Sequence, residues 1–435
     1  MTDIQIALMM VGLVVALVVI GVDIGIALLS LSFVGVWLIK DNLAIAQKLV
    51  SMAAYSGIQE YVFATIPLFV LMGMLIAVSD VGKDTFDVAG WALRKLAGGL
   101  GMATVASNTV FAAVTGVSIA SASVFAKVAV PEMLRHGYSP AFAVGTVAGS
   151  SILGMLIPPS VLLIIYGVIA EESIGKLFIA GLVPGVLMAA AFCLTIYLIA
   201  VFFKGWAGPM QEQSVDGAHD MRWTEAAGKL APIAALVVLM LGGLYAGLFT
   251  PTEAGAVGAF GALLLALAKR RLNGARLWRC LLETGYVSVA ILFLLVTAAM
   301  YSRMITLAGM PDWLGGLLQG HGPYVFLAGY IAILLFLGSI LDSTSILLIL
   351  TPLAVPIARA FGMDLIWFGL ITVIVVEIGL LTPPLGLSAF AVKASLADQR
   401  IKLSTVFAGC VPFIVAMLVV TGLLIAFPKL VTILL

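Results

Sequence analysis

The sequence predicts an all-α protein that crosses a membrane many times and contains an inverted repeat. Of its 435 residues, 63% are hydrophobic and only 10% are charged, and the mean hydropathy is +1.22. A soluble domain of this length does not have that composition. Prolines and glycines recur 225 residues apart, and the helix breaks that they cause predict two re-entrant helical hairpins and two broken helices.

The repeat covers residues 131–159 and again residues 356–384. Each copy reads Ala-Val-Pro, then a glycine, and then a second glycine that precedes a double proline. Two consecutive prolines remove two backbone donors, so the helix breaks and carbonyl groups lose their partners at membrane depth. Broken segments at matching places in two halves indicate a secondary transporter with its site between the repeats.

The N-terminal apolar stretch, about residues 4–39, is too long for one span of roughly 20 residues and predicts two spans joined at glycines. It lacks a basic leader and a clear cleavage site, so we expect it to be retained. A short polar stretch at 40–60 precedes a third span at about 63–78. Apolar residues on one helical face of 83–96 predict an interfacial amphipathic helix.

Each half continues with a hairpin and then a broken helix. Polar tips interrupt the first hairpin at 115–118 and the second at 338–345. A single span would bury such a tip without benefit, whereas two half-length helices that meet at it form a re-entrant hairpin. The predicted hairpins are 98–135 and 322–359, and the broken helices are 141–170 and 366–394. Ordinary spans are expected at about 178–203, 230–247, 250–268, 285–308 and 403–427.

Lysines and arginines predict the orientation. Their densest cluster, at 269–279, belongs in the cytoplasm by the positive-inside rule. Counting spans outward puts Arg135, Arg222 and Lys402 on the same side and the N-terminus outside. The first hairpin then enters from the cytoplasm and the second from the opposite face, as an inverted repeat requires.

The tips and breaks supply candidate ligands for a small cation. Free carbonyls and hydroxyls suit sodium, while half-helix N-termini suit a carboxylate. The candidate sodium ligands are, in the first half, Gly116, Ser118, Ser121, Ser150, Ser151, Gly154 and the backbone of Val117, and in the second half, Ser343, Thr344, Gly379 and Thr382. Any one of these serines could instead serve close helix packing. Packing alone does not require two double prolines in register.

Charged residues deep in apolar segments are costly and point to function. Asp342, at the second tip, could ligate a cation or gate the substrate, and Glu377 could do the same or pair with a basic residue. Arg303 is a natural bidentate partner for a substrate carboxylate, or else snorkels to the nearby membrane edge. The remaining candidate substrate-binding residues are Ser345, Pro158, Pro159, Pro383 and Pro384.

Several classes of protein do not fit the sequence. Without a GxxxxGK[ST] loop, transport has to draw on an ion gradient rather than ATP. An intramembrane protease would need an HExxH motif, a GxSxG motif or paired aspartates, and Asp23 and Asp342 share no motif. A net charge of +1 without a basic run argues against nucleic acid as a partner. We expect no enzymatic activity and no cofactor beyond sodium as coupling ion.

Over 116–159 and 338–384 the sequence resembles the large membrane subunit of tripartite ATP-independent periplasmic (TRAP) transporters, the DctM-like family. The matching segments are AKVAVPEM from Ala126, GSS from Gly149, LIPPS from Leu156, AGLVPG from Ala180, TPTEAGA from Thr250 and LTPPLG from Leu381. In this order they are far more specific than any one motif, and the resemblance covers essentially the whole chain.

The resemblance implies a sodium-driven importer of an organic acid, such as a C4-dicarboxylate, a 2-oxo acid, a sugar acid or sialic acid. The importer is expected to be a multi-pass protein of the bacterial inner membrane that takes its substrate from a periplasmic binding protein. A small four-helix membrane subunit is the second expected partner, here as a separate polypeptide. A related ion-coupled carboxylate carrier without a binding protein is the alternative.

The resemblance also implies an elevator-type fold, in which hairpins and broken helices form a mobile transport domain and the other helices a scaffold. Sodium would bind at the tips and breaks, and Arg303 and Asp342 would line the substrate path. The predicted division is scaffold helices and an amphipathic arm at 1–97, a first repeat core at 98–203, a loop with scaffold helices and a second arm at 204–320, and a second repeat core with the C-terminal helix at 321–435.

Overall fold

The computed structural model describes residues 1–116, 118–203, 205–207, 221–318, 320, 322–396 and 400–435. Within these ranges the chain forms helices and connections, apart from one isolated antiparallel bridge between Tyr138 and Ala207. The predicted all-α class is therefore confirmed.

In the part of the first half that the structure describes, there are eleven α-helices. They are α1 (Asp3–Ile20), α2 (Ile24–Lys40), α3 (Leu43–Gln59), α4 (Thr65–Ala77), α5 (Val81–Leu93), α6 (Gly99–Thr115), α7 (Ser118–Arg135), α8 (Pro140–Ser151), α9 (Leu153–Leu156), α10 (Val161–Ala170) and α11 (Ile174–Phe202), with a 3₁₀ turn at Tyr61–Ala64. The second half contains α12 (Trp223–Tyr245), α13 (Pro251–Ala268), α14 (Gly274–Leu307), α15 (Met310–Leu318), α16 (Pro323–Gly338), α17 (Ser343–Ala360), α18 (Leu365–Gly379), α19 (Leu387–Ser395), α20 (Leu403–Ala426) and α21 (Lys429–Thr432).

Within the described residues, seven helices are long and apolar enough to cross a membrane, or up to ten spans if each of three bent helix pairs counts as one. One of these pairs is the first predicted broken helix, which bends by 42° between Pro140–Leu156 and Val161–Ala170. The helices α7 and α17 begin 225 residues apart, and so do α8 and α18. The two halves therefore share the starting positions of these helices, although the assignment of helices to scaffold and transport domains stays a prediction.

The stretch at 40–60, which the sequence marks only as polar, is the helix α3. The side chain of Asn42 caps it by accepting a hydrogen bond from the backbone N–H of Ala44 at 2.9 Å. Among the side chains described for this helix, only Ala46 and Ala53 are buried. The helix therefore touches the rest of the protein along a narrow stripe and leaves most of its surface exposed.

The predicted amphipathic helix is α5, and ion pairs hold its polar face. Asp87 lies 3.1 Å from Lys229 of α12, and Asp84 is paired with Lys269 after α13. The opposite face buries Phe86. This helix connects α4 to the first hairpin, so the pairs fix the start of the hairpin to α12 and α13.

The two halves pack against each other through bare backbone. Where α8 crosses α20, a Cβ atom on Gly409 would lie 1.8 Å from the carbonyl oxygen of Ala141, and one on Gly145 would lie 2.1 Å from the carbonyl oxygen of Gly409. At a second place, the hydroxyl of Tyr166 in α10 donates to the carbonyl of Leu365 at the start of α18, at 2.7 Å. Helices of the two repeats are thus in direct contact with each other, through backbone at one place and through a hydrogen bond at the other.

Candidate functional site

The first hairpin tip lies directly on the first helix break. Gly116 has a φ of +63°, and a Cβ atom added there would lie 2.6 Å from the carbonyl oxygen of Pro159. Only glycine combines that backbone conformation with that approach. The structure therefore brings together the tip and the break that the sequence predicted as one site in the first half, while Val117 lies outside the described residues.

A buried amide joins three helices behind this tip. The side chain of Asn108 in α6 donates to the hydroxyl of Ser150 in α8 at 2.8 Å and accepts a hydrogen bond from the hydroxyl of Ser121 in α7. All three residues are at most 1% exposed. Sequence reasoning missed Asn108, although an amide in an apolar hairpin arm is the kind of signal that could have identified it.

The other first-half candidates are buried around the same break. The hydroxyl of Ser150 also donates to the carbonyl of Thr146 at 2.7 Å, and that of Ser151 donates to the carbonyl of Ala148 at 2.8 Å. Ser118 starts α7, and Gly154 lies in the short helix α9. Since each serine hydrogen is donated to a carbonyl of its own helix, the hydroxyl oxygens remain as acceptors, and Ser150 already uses one lone pair to accept the hydrogen bond from Asn108.

The second tip also contacts its break, again through glycine. A Cβ atom on Gly379 would lie 2.5 Å from the Cα atom of Gly338. The carbonyl of Ser339 accepts hydrogen bonds from the backbone N–H groups of Leu385 at 3.0 Å and Gly386 at 3.3 Å. Both halves thus place a hairpin tip against the interruption of the following helix.

Glu377 links the second hairpin to α18. The hydroxyl of Ser343 donates to Oε1 of Glu377 at 2.8 Å, and the carboxyl group is 2% exposed. Its Oε2 atom is buried without a hydrogen-bond partner among the described residues. A cavity of about 10 Å³ beside it is otherwise lined by isoleucine, leucine and methionine side chains.

Asp342 is the N-cap of α17. Its carboxylate accepts a hydrogen bond from the backbone N–H of Ser345 at 3.1 Å and another from the Ser345 hydroxyl. Thr344 is half-buried beside it, and Thr382 donates through its hydroxyl to the carbonyl of Ile378 at 2.8 Å. The cap accounts for Asp342 at this position, and its free lone pairs leave a role as a ligand possible.

The two double prolines occupy unequal surroundings. Pro158 and Pro159 are buried, whereas Pro383 and Pro384 are exposed, as is the neighbouring Leu385. Breaks that match in sequence therefore differ in accessibility in this one conformation.

Arg303 lies apart from the tips. Its atom Nη1 is buried without a hydrogen-bond partner among the described residues. The cavity next to it, of about 260 Å³, is lined otherwise by Leu49, Ser302, Thr306 and Leu307. No tip or break residue lines this cavity, so this cavity does not connect Arg303 to Asp342.

The chemistry available at the tips is that of oxygen ligands. Among the described residues, no group of three or more His, Cys, Asp or Glu side chains is arranged to hold a metal ion. The tips and breaks instead offer carbonyls, hydroxyls, one amide and two carboxylates. Such a set suits a hard monovalent cation better than a transition metal.

A helical membrane protein with paired tips and breaks belongs to the class of membrane transport proteins rather than enzymes. The chain is a member of the DctM family: the sequence model described as "Tripartite ATP-independent periplasmic transporter, DctM component" matches residues 11–430. The predicted family is thus confirmed, and with it a multi-pass location in the bacterial inner membrane.

Individual relatives agree with this assignment. The C4-dicarboxylate TRAP transporter large permease protein DctM of Pseudomonas aeruginosa is 36% identical over 343 residues, 77% of this chain and 78% of that protein. The isethionate TRAP transporter permease protein DctMQ of Oleidesulfovibrio alaskensis is 29% identical over 87% of this chain, which covers 59% of that longer protein. In fold, the crystal structure of the Alcanivorax borkumensis YdaH transporter is similar, with a TM-score of 0.59, 14% identity and 90% of each chain covered.

Proposed function

We propose that this chain is the large subunit of a sodium-coupled importer of a small organic acid, and that it moves by an elevator mechanism. The observation that supports the proposal most directly is that both hairpin tips touch the helix breaks of their own half, at Gly116 and Pro159 and at Gly338 and Gly379. Such tip–break pairs place free carbonyls and half-helix ends next to each other at membrane depth.

Sodium is proposed as the coupling ion because the groups at the tips are mainly neutral oxygens. In the first half, the carbonyl ends around Gly116 and the lone pairs of Ser150 and Ser151 supply such oxygens within a fully buried environment. In the second half, Ser343, Thr382 and the carbonyls near Gly379 supply the equivalent set. Hard oxygen ligands of this kind satisfy a small cation that has lost its hydration shell.

The substrate is proposed to be a carboxylate. The N-terminus of α17, at Ser343, presents the positive end of the helix dipole beside the second break, and the carboxylate of Asp342 already accepts a hydrogen bond from the backbone N–H of Ser345 there. Arg303 could bind a second carboxylate after a change in conformation, since its Nη1 atom has no partner here. Relatives named for C4-dicarboxylate and for isethionate transport carry small organic anions, so a C4-dicarboxylate is the first compound to test.

Two protein partners are proposed with it. The family is described as tripartite and periplasmic, which supports delivery of the substrate by a periplasmic binding protein. The matched DctMQ relative is considerably longer than the region that this chain covers, which supports a second membrane component. We propose that a small membrane subunit supplies that component.

Uptake into proteoliposomes tests the proposal. The chain and its small subunit are reconstituted, and uptake of radiolabelled succinate, isethionate and sialic acid is measured with an inward sodium gradient, with and without the binding protein. Uptake that needs both sodium and the binding protein supports the proposal. Uptake that a proton gradient drives equally well without sodium refutes sodium coupling, and sodium-driven uptake without the binding protein favours a stand-alone carrier.

A further inference from the structure

A cavity of about 310 Å³ lies between the end of α4, the connection from α4 to α5, the connection from α13 to α14 and the start of α14, and no tip or break residue lines it. Its charged lining residues are Asp80, Arg271, Arg276, Arg279 and Glu283. This is the end of α14 that the positive-inside rule puts at the cytoplasmic surface of the membrane. None of the transport chemistry proposed above uses this cavity.

The three arginines of the cavity differ in their interaction partners. Arg271 pairs with Asp80 at 2.8 Å, which neutralises both charges. The guanidinium of Arg276 donates to the backbone carbonyl of Arg271 at 2.7 Å and so is oriented toward the cavity without being neutralised. No carboxylate of the described residues lies within ion-pair distance of Arg276 or Arg279. Two cationic groups one helical turn apart are therefore available to an anion.

The inner wall of the same cavity is apolar. Met74, Ala77 and Val78 at the end of α4 face the buried Cys280 of α14. Beyond the cavity, α14 continues with exposed apolar side chains, of which Tyr286 is 75% exposed and Val289 is 67% exposed. In a membrane protein such a surface faces acyl chains. A cationic rim thus leads into an apolar wall and then onto the lipid-facing side of a helix.

We propose that this cavity is a binding site for a phospholipid of the cytoplasmic leaflet, with its phosphodiester group on Arg276 and Arg279. Guanidinium groups bind phosphate oxygens through paired N–H donors. Basic pockets between membrane helices at the cytoplasmic side are suited to lipid headgroups. The glycerol backbone lies on the wall formed by α4, and an acyl chain follows α14 past Tyr286.

Glu283 restricts the headgroup. Its carboxylate lines the cavity one turn beyond Arg279 and can only accept hydrogen bonds while it is ionised. A headgroup that carries hydroxyl or ammonium donors, such as glycerol or ethanolamine, satisfies it, whereas a choline headgroup has no such donor. Phosphatidylglycerol is therefore expected to bind better than phosphatidylcholine.

The location gives the lipid a structural role. Asp80 ends the connection between α4 and α5 as the N-cap residue of α5, and α5 leads into the first hairpin. A lipid held at Arg276 and Arg279 therefore lies against the joint between the spanning helix α4 and the hairpin that follows.

Native mass spectrometry of the purified full chain tests this site. The protein is titrated with phosphatidylglycerol, with phosphatidylcholine and with soluble glycerol phosphate, and the double variant R276Q/R279Q is compared with wild type. The matched control is Arg222→Gln, an exposed arginine on the same predicted side that does not line the cavity. Since one basic residue near a membrane surface contributes roughly a fivefold gain in lipid affinity, the double variant is expected to bind phosphatidylglycerol about 25-fold more weakly.

The outcomes separate the possible ligands. Loss of phosphatidylglycerol binding in R276Q/R279Q but not in Arg222→Gln supports the site. Equal binding by wild type and the double variant overturns it, and so does glycerol phosphate binding as tightly as the lipid, because a free phosphate then needs no apolar wall. Single variants at Arg276 and Arg279 repeat the comparison if the double variant does not fold.

Discussion

The hydroxyl of Ser343 lies 2.8 Å from Oε1 of Glu377, which fastens the second hairpin to α18. The first half fastens its hairpin differently, through the amide of Asn108 and the hydroxyl of Ser150, also at 2.8 Å. Residues 225 positions away from Asn108 and Glu377 are both isoleucines. The two halves therefore share the arrangement of hairpin and broken helix, but different side chains fasten the hairpin in each half.

Replacing Ser343 by alanine removes the hydrogen bond to Glu377 and leaves a buried carboxyl group without any partner. We expect the free energy of unfolding to fall by about 1–3 kcal/mol, the usual cost of an unsatisfied buried group. Thermal unfolding of the purified protein measures the change. Ser51→Ala is the control, because Ser51 is exposed and bonds only a carbonyl of its own helix. Equal stability of the two variants would show that the Ser343 contact contributes nothing.

The contact between Asn108 and Ser150 is suited to a double-mutant cycle. Asn108→Ala, Ser150→Ala and the double variant are compared for stability and for uptake. Because the two side chains are in direct contact and buried, we expect a coupling free energy of about 0.5–2 kcal/mol. Strictly additive effects on stability would contradict a direct interaction between them.

Gly409 is expected to tolerate no side chain. Its Cβ atom would meet the backbone oxygen of Ala141, which no rotamer change can relieve, so Gly409→Ala forces α8 and α20 apart. Overpacking of this kind costs about 1–3 kcal/mol or more. Gly422→Ala on the same helix is the matched control, since nothing lies within 4 Å of its added Cβ atom. Expression level and thermal unfolding of the two variants should separate clearly.

Gly116 has both a positive φ and a close contact with Pro159, and comparison with Gly362 separates the effects of the two. Gly362 shares its positive φ, at +71°, but has nothing within 4 Å of an added Cβ atom. Gly362→Ala should therefore cost about 1 kcal/mol from backbone strain alone. Gly116→Ala adds a clash with the carbonyl of Pro159 and should abolish uptake. Uptake by Gly116→Ala equal to that of Gly362→Ala would count against a close tip–break contact during transport.

The ion pair between Asp87 and Lys229 predicts a charge-swap rescue. The side chains are 16% and 27% exposed, so a contribution of about 1 kcal/mol or less is expected. Asp87→Lys alone should lower the thermal stability by placing like charges together, and adding Lys229→Asp should restore it. Failure of the swap to recover stability would mean that the pair does not hold α5 to α12.

The fold was predictable where local chemistry decides it. The double prolines and the tip glycines determine where the helices break, because a proline lacks its backbone N–H and a glycine lacks its Cβ atom whatever packs around it. Asn108 was not predictable, since whether a lone amide in an apolar helix meets Ser121 and Ser150 depends on how three helices cross. The surroundings of Arg303 were also not predictable, because the cavity beside it is lined in part by Leu49 of α3, which the sequence marks only as a polar stretch.

The contact of Gly338 with Gly379 has a mechanical consequence. Two helices that meet through glycines present smooth backbone to each other, without side chains that interlock. What holds the second tip to its break at this point is the pair of hydrogen bonds to the carbonyl of Ser339 and the link from Ser343 to Glu377. At the glycine contact itself no side chain has to move for the tip to leave the break, so the resistance to opening there comes from the two hydrogen bonds to Ser339 and from the side-chain hydrogen bond between Ser343 and Glu377.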